Sequence, residues 1–146
     1  MENYMQELVE ENFLRIVFSS EIALVDKAVA DAVAFIKAKN IVVDSFSLKL
    51  AFYESFTNAV RHGNLSDPQK NVTGEIRTDD KFIYIRVEDE GNGFDWKKAI
   101  AKKTISFNDT SGRGLILLRS YDYNPEYNEK GNVLSLKKAY TQKPQE

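Results

Sequence analysis

The sequence predicts an α+β fold: a two-layer sandwich in which a mixed, mainly antiparallel sheet carries its helices on one face. Three observations lead there. Two runs of helical periodicity precede most of the strand signals, and two pairs of strands are each closed by a short polar turn. A further short apolar helix separates the pairs, and such hairpins argue against a doubly wound parallel sheet. With 146 residues, the chain suits one domain with its own hydrophobic core. That core is expected over about 10–140, with Thr141 to Glu146 as a loose polar tail.

Phe13-Leu14-Arg15-Ile16-Val17-Phe18 reads as a strand ending at Ser19-Ser20, with Ser20 as the N-cap of a helix. From Glu21 to Lys39 the apolar positions Ala23, Leu24, Ala28, Val29, Ala32, Phe35 and Ile36 recur with helical spacing. A second helix is predicted from after Asp44 to about His62, stopped in left-handed geometry at Gly63-Asn64. Asn71 to Thr78 and Phe82 to Glu88 form a hairpin over Asp79-Asp80-Lys81. In its second strand Ile83, Ile85 and Val87 alternate with Phe82, Tyr84 and Arg86. Asp89-Glu90-Gly91-Asn92-Gly93 is a loop by composition. After a stretch from Trp96 to Ser111 comes Gly112-Arg113-Gly114, opening a short helix from Leu115 to Ser120. Two strands, Tyr121–Tyr127 and Val133–Tyr140, turn at Asn128–Asn132.

Apolar residues make up 42% and charged residues 29%, the balance of an ordinary globular protein. No cysteine is present, so disulfides, thiolate metal sites and cysteine nucleophiles are excluded, and one histidine excludes a histidine-rich metal site. The first residues are acidic and polar, without the basic start and apolar run of a secretory leader, and no stretch has the length of a membrane span. A cytoplasmic location is expected. The net charge of −2 does not suggest a nucleic-acid partner. The charge is uneven: residues 1–96 carry 10 basic and 17 acidic side chains (−7), and residues 97–146 carry 10 and 5 (+5). An uneven solvated surface accounts for this, and a basic second part would also suit a polyanionic ligand.

Three segments carry chemistry. Glu54 and Asn58, four apart in the second predicted helix, share one face. A carboxylate and a carboxamide so placed could take a proton from a nucleophile and offer oxygen to a hard cation; alone, they equally describe a solvated face. Asp89, with Gly91 and Gly93, follows a strand directly. Its carboxylate could accept a hydrogen bond from an exocyclic amine such as adenine carries, while the glycines admit a flat ring; alone, the segment is also a good turn. Gly112-Arg113-Gly114 opens a helix, where free N–H groups and the helix dipole favour phosphate; alone, it is also a flexible helix entry. Position 96 is Trp and position 117 is Leu, so neither glycine pair completes G-x-G-x-x-G, and no P-loop is present.

Taken in order, helical Glu-x-x-x-Asn, Asp-x-Gly-x-Gly after a strand and Gly-x-Gly-Leu opening a helix resemble the GHKL (Bergerat-fold) ATPases. Within them, Glu54-Ser55-Phe56-Thr57-Asn58-Ala59-Val60-Arg61-His62-Gly63-Asn64 resembles the N-box of the anti-sigma-factor serine/threonine kinases. Gly112-Arg113-Gly114-Leu115-Ile116-Leu117-Leu118-Arg119 is similar to their second glycine box, and Gly131 to Lys138 to their final strand. The resemblance implies roles by position. Asn58 would bind the Mg²⁺ that bridges the ATP phosphates, and Glu54 would be the general base. Asp89 would read the adenine amine, with Gly91 and Gly93 shaping the pocket. Gly112, Arg113 and Gly114 would meet the phosphates, and Lys97 to Ser111 would form a lid over the nucleotide. It further implies transfer of the γ-phosphoryl group to a Ser or Thr of an anti-sigma-factor antagonist, capture of a sigma factor, and a homodimer. The lid stretch is lysine-rich and proline-free, and Tyr121–Tyr127 is more tyrosine-rich than the family's aliphatic strand. The single histidine, His62, stands at the N-box helix end, where a structural role is expected; a complete two-component histidine kinase is not. The alternative to catalysis is a module that holds ATP or ADP and regulates by sequestering proteins. A domain that binds no nucleotide would need three motifs in order by chance.

Overall fold

Alternating apolar residues put one side of the central strands under a layer of helices. The computed structural model describes residues 4–93 and 113–144. Its elements are β1 (Met5–Glu10), β2 (Phe13–Ser19), α1 (Ile22–Lys37), β3 (Ile41–Val42), α2 (Ser45–Asn58), β4 (Asn71–Thr78), β5 (Phe82–Glu88), α3 (Arg113–Ser120), β6 (Glu126–Tyr127), β7 (Val133–Ala139) and β8 (Thr141–Gln142). A six-stranded sheet runs in the order β1-β2-β4-β5-β7-β6, and β3 pairs with β8 in a separate ribbon. All these pairings are antiparallel.

Register explains the core. Leu14 pairs with Ile76, Phe18 with Val72, Ile76 with Ile85, and Ile85 with Leu136, so their side chains share one face. All are buried, with Val25, Ala28, Val29, Ala32 and Ile36 of α1 and Leu48, Phe52 and Phe56 of α2. Phe56 meets Phe18 edge-on at 5.4 Å and stacks beside Phe52 at 6.0 Å. The opposite face carries Arg15, Glu75, Arg77, Tyr84, Arg86 and Lys137, the charged and aromatic half of the same alternation. The α+β architecture with helices on one face is therefore the observed one.

Four local expectations are corrected. Ser20 does not cap α1: Glu21 occupies that position, while the Ser20 hydroxyl donates to the Lys70 carbonyl. The second helix does not stop in left-handed geometry at Gly63-Asn64. After Asn58 it widens into a π-helical turn, Ala59–Gly63, closed by the Asn64 N–H on the Ala59 carbonyl at 2.9 Å, and positive φ arises only at Leu65 and Ser66. The strand expected over Tyr121–Tyr127 shrinks to Glu126–Tyr127. Asp122 takes φ 64°, Pro125 has no N–H for a ladder, and Tyr123 turns into the core. Part of the expected loose tail, Thr141–Gln142, pairs with Ile41–Val42. Met5–Glu10 is a strand that the sequence did not indicate; its side chains are mostly exposed and its acidic edge character hides the alternation.

Candidate functional site

Helix α2 is the spine of the site. Asp44 starts it, its carboxylate accepting from the Ser47 N–H at 2.8 Å. Its inner face is anchored by Leu48, Phe52 and Phe56, which leaves Glu54 and Asn58 on the flank, both half-buried. Beyond Asn58 the π turn shifts the register of the following residues; such turns gather at functional sites.

Strand β5 delivers the second segment. Asp89 follows it directly, its N–H donating to the Asn132 carbonyl at 2.9 Å while the Asn132 side chain donates back to the Asp89 carbonyl at 3.2 Å. The carboxyl of Asp89 is buried, and its Oδ1 accepts from the Gly91 N–H at 2.8 Å. Burial lifts this carboxyl above the usual aspartate range, and the Gly91 N–H partly opposes the lift. A side chain at Gly63 would overlap the Asp89 carboxyl, and one at Gly91 would overlap the Gly63 carbonyl. The end of the N-box helix and the Asp-Gly loop therefore touch only because both positions are glycine. Gly93 holds φ 87° above the Lys130 carbonyl.

A narrow cleft opens where these parts meet, lined by Ser55, Asn58, Ala59, Gly63, Val87, Asp89, Tyr127 and Leu134. It brings Asn58 and Asp89 to one place. Gly114, buried in the first turn of α3, faces Glu54 so closely that a Cβ there would overlap the carboxylate. Residues of all three segments thus converge at one end of α2. Gly112 and the lid stretch Lys97 to Ser111 lie outside the described residues, as does the side chain of Arg113, which begins α3. His62 is exposed on the π turn.

Sequence reasoning missed Tyr127. It pairs with Leu134 across the β6–β7 ladder and forms a wall of the cleft, its phenol held well above its ordinary pKa by burial and the neighbouring Asp89 carboxylate. The available signal was an aromatic residue in a two-residue strand. A roomier groove of about 330 Å³ lies on the open sheet face, among Phe13, Arg77, Tyr84, Arg86 and Lys137. Size does not assign the site, because none of the described residues of the three segments lines that groove.

The family model described as a histidine kinase-like ATPase domain matches residues 18–138. The matched span runs from the end of β2 to the end of β7 and includes every cleft residue. No curated protein is matched by this chain. Among the described residues, no helix is long and apolar enough to cross a membrane.

Proposed function

This chain belongs to the histidine kinase-like ATPase family, and on that premise we propose that it is an anti-sigma-type serine/threonine protein kinase. The observation that supports this reading best is the convergence of Glu54, Asn58, Asp89 and Gly114 at one end of α2.

In this reading Asp89 accepts a hydrogen bond from the exocyclic amine of adenine, and Gly91 shapes the pocket by letting the loop pack against Gly63. Burial of the Asp89 carboxylate favours such a bond, because a desolvated acceptor gains more from a donor than one already hydrated. The backbone at Gly114, with Gly112 and Arg113, receives the phosphates. Among the described residues no cluster of three or more His, Cys, Asp or Glu could hold a metal by itself. The carboxamide oxygen of Asn58 is nevertheless a hard ligand that suits magnesium shared with nucleotide phosphates. When bound, that ion neutralises phosphate charge. Glu54 takes the proton of the partner's Ser or Thr hydroxyl as its oxygen bonds to the γ-phosphorus. The bond from that phosphorus to the bridging oxygen breaks, and ADP leaves. The phospho-acceptor is an anti-sigma-factor antagonist, the captured partner is a sigma factor, and the working unit is a homodimer in the cytoplasm.

Incubation with γ-labelled ATP and the antagonist tests the reading. Label should pass to a Ser or Thr, with Glu54→Ala lowering the rate about 10²- to 10⁴-fold while nucleotide still binds. Transfer at the parental rate by Glu54→Ala would remove the general-base role. Nucleotide binding without any transfer would favour a silent regulatory module instead.

A further inference from the structure

We propose that Asn64 is the positioning residue of the nucleotide site, setting the place of the Asp89 loop from behind; this rests on the ATP-binding reading above. Asn64 is completely buried directly after the π turn. Its Oδ1 accepts the Glu90 N–H at 2.7 Å. Its Nδ2 donates to the Ser20 hydroxyl oxygen at 2.7 Å and to the Asn71 carbonyl at 2.9 Å. Both amide hydrogens and the carbonyl oxygen are thus engaged, each on a different part of the fold: the end of β2, the start of β4 and the loop after β5.

The partners dictate the orientation of the amide. Turned over, its NH₂ would face the Glu90 N–H and its oxygen the Asn71 carbonyl, two repulsive pairs in a buried setting. The Asn64 backbone is fixed as well, its N–H donating to Ala59 and its carbonyl accepting from the Asp67 N–H at 3.0 Å. The main chain of Asp89 is tied to Asn132, and its carboxylate accepts the Gly91 N–H from within the same loop. The Glu90 N–H on Asn64 holds the next peptide, so the direction of the Asp89 carboxyl depends on both. A second tie reinforces the loop, the Glu90 carboxylate accepting from the Asn71 N–H. Asn64 therefore acts through Asp89 without touching the nucleotide.

The test combines amide hydrogen exchange on nucleotide-free protein with calorimetric titration of ATP and GTP, each with Mg²⁺. Asn64→Ala should speed exchange at Glu90 and Gly91 at least tenfold while leaving Ile76 and Ile85 protected. ATP affinity should fall about tenfold, and the preference for ATP over GTP should shrink with it, because only base reading is disturbed. If Asn64→Ala does not fold, Asn64→Ser, too short to reach Glu90, carries the same expectation. Unchanged exchange at Glu90, or freed Glu90 with unaltered ATP affinity and base preference, overturns the inference and leaves ATP binding intact. Parental protein that binds no ATP overturns both.

Discussion

The two ends of α2 are built on different principles. Its first turn is regular: Asp44 caps it, Ser47 returns a hydroxyl bond to the Asp44 carbonyl at 3.0 Å, and Leu48 and Phe52 go straight into the core. Its last turn is irregular, widening into a π turn packed tightly against the Asp-Gly loop. The first end keeps the helix in place. The second gives up regular hydrogen bonding to bring Asn58, Gly63 and Asp89 within one cleft. A helix can thus be conventional where it only packs and unusual where it presents chemistry.

The sharpest way to break this contrast is Gly63→Ala. In an ordinary helix that change favours folding by about 1 kcal/mol. Here the new methyl would overlap the Asp89 carboxyl, which is buried and has little room to move. The expected outcome is a loss of about 1–3 kcal/mol in stability, as for other overpacked sites, with ATP affinity at least tenfold weaker. Thermal melts and titration measure both, and a stabilised variant with parental affinity would mean that the tight packing is unimportant.

At the other end, Asp44→Ala removes the cap and should cost about 1 kcal/mol in a denaturant melt. ATP affinity should not change. A large loss of binding there would show that the two ends are not separable.

The smallest effect is expected away from both ends, where Glu7 of β1 meets Asp31 and Lys27 of α1. Sharing a hydrogen bond with Asp31 raises the Glu7 carboxyl to about 6, while Asp31 is lowered. The raised group favours the folded state fully below about pH 4.5, and that advantage is lost as pH rises through about 6. The lowered Asp31 works in the opposite sense, losing its contribution on acidification. Glu7→Gln should flatten the fall in melting temperature between pH 4.5 and 6. By pH 8 the variant should be slightly the more stable, by on the order of 1 °C. Greater stability of the parental protein at pH 8 would reverse the sign of this account.

The same contrast marks what the sequence disclosed. Asp44, the period of α1 and the alternation in β5 were legible because each follows a local rule. The family-level architecture was legible because three short segments occur in a set order. The π turn was not legible: nothing in Ala59-Val60-Arg61-His62-Gly63 distinguishes it from a continuing helix, and only the Asp89 loop packed against it gives it a role. Ser20 looked like a cap because it precedes a helix, yet tertiary partners claim its hydroxyl. Tyr123 and Tyr127 looked like one strand, but Pro125 lies between them, and the first enters the core while the second lines the cleft.

On this reading the irregular end of α2 and the Asp89 loop form an adenine-reading pocket. Calorimetric titration of nucleotide-stripped protein with Mg-ATP, beside Asp89→Asn, tests it most directly. Micromolar-range binding is expected, weakened at least tenfold by Asp89→Asn. Because burial raises the Asp89 carboxyl, parental affinity should also decline on acidification while an ordinary aspartate is still ionised, a dependence that Asp89→Asn lacks. No binding by the parental protein, or equal binding by Asp89→Asn, would contradict the claim.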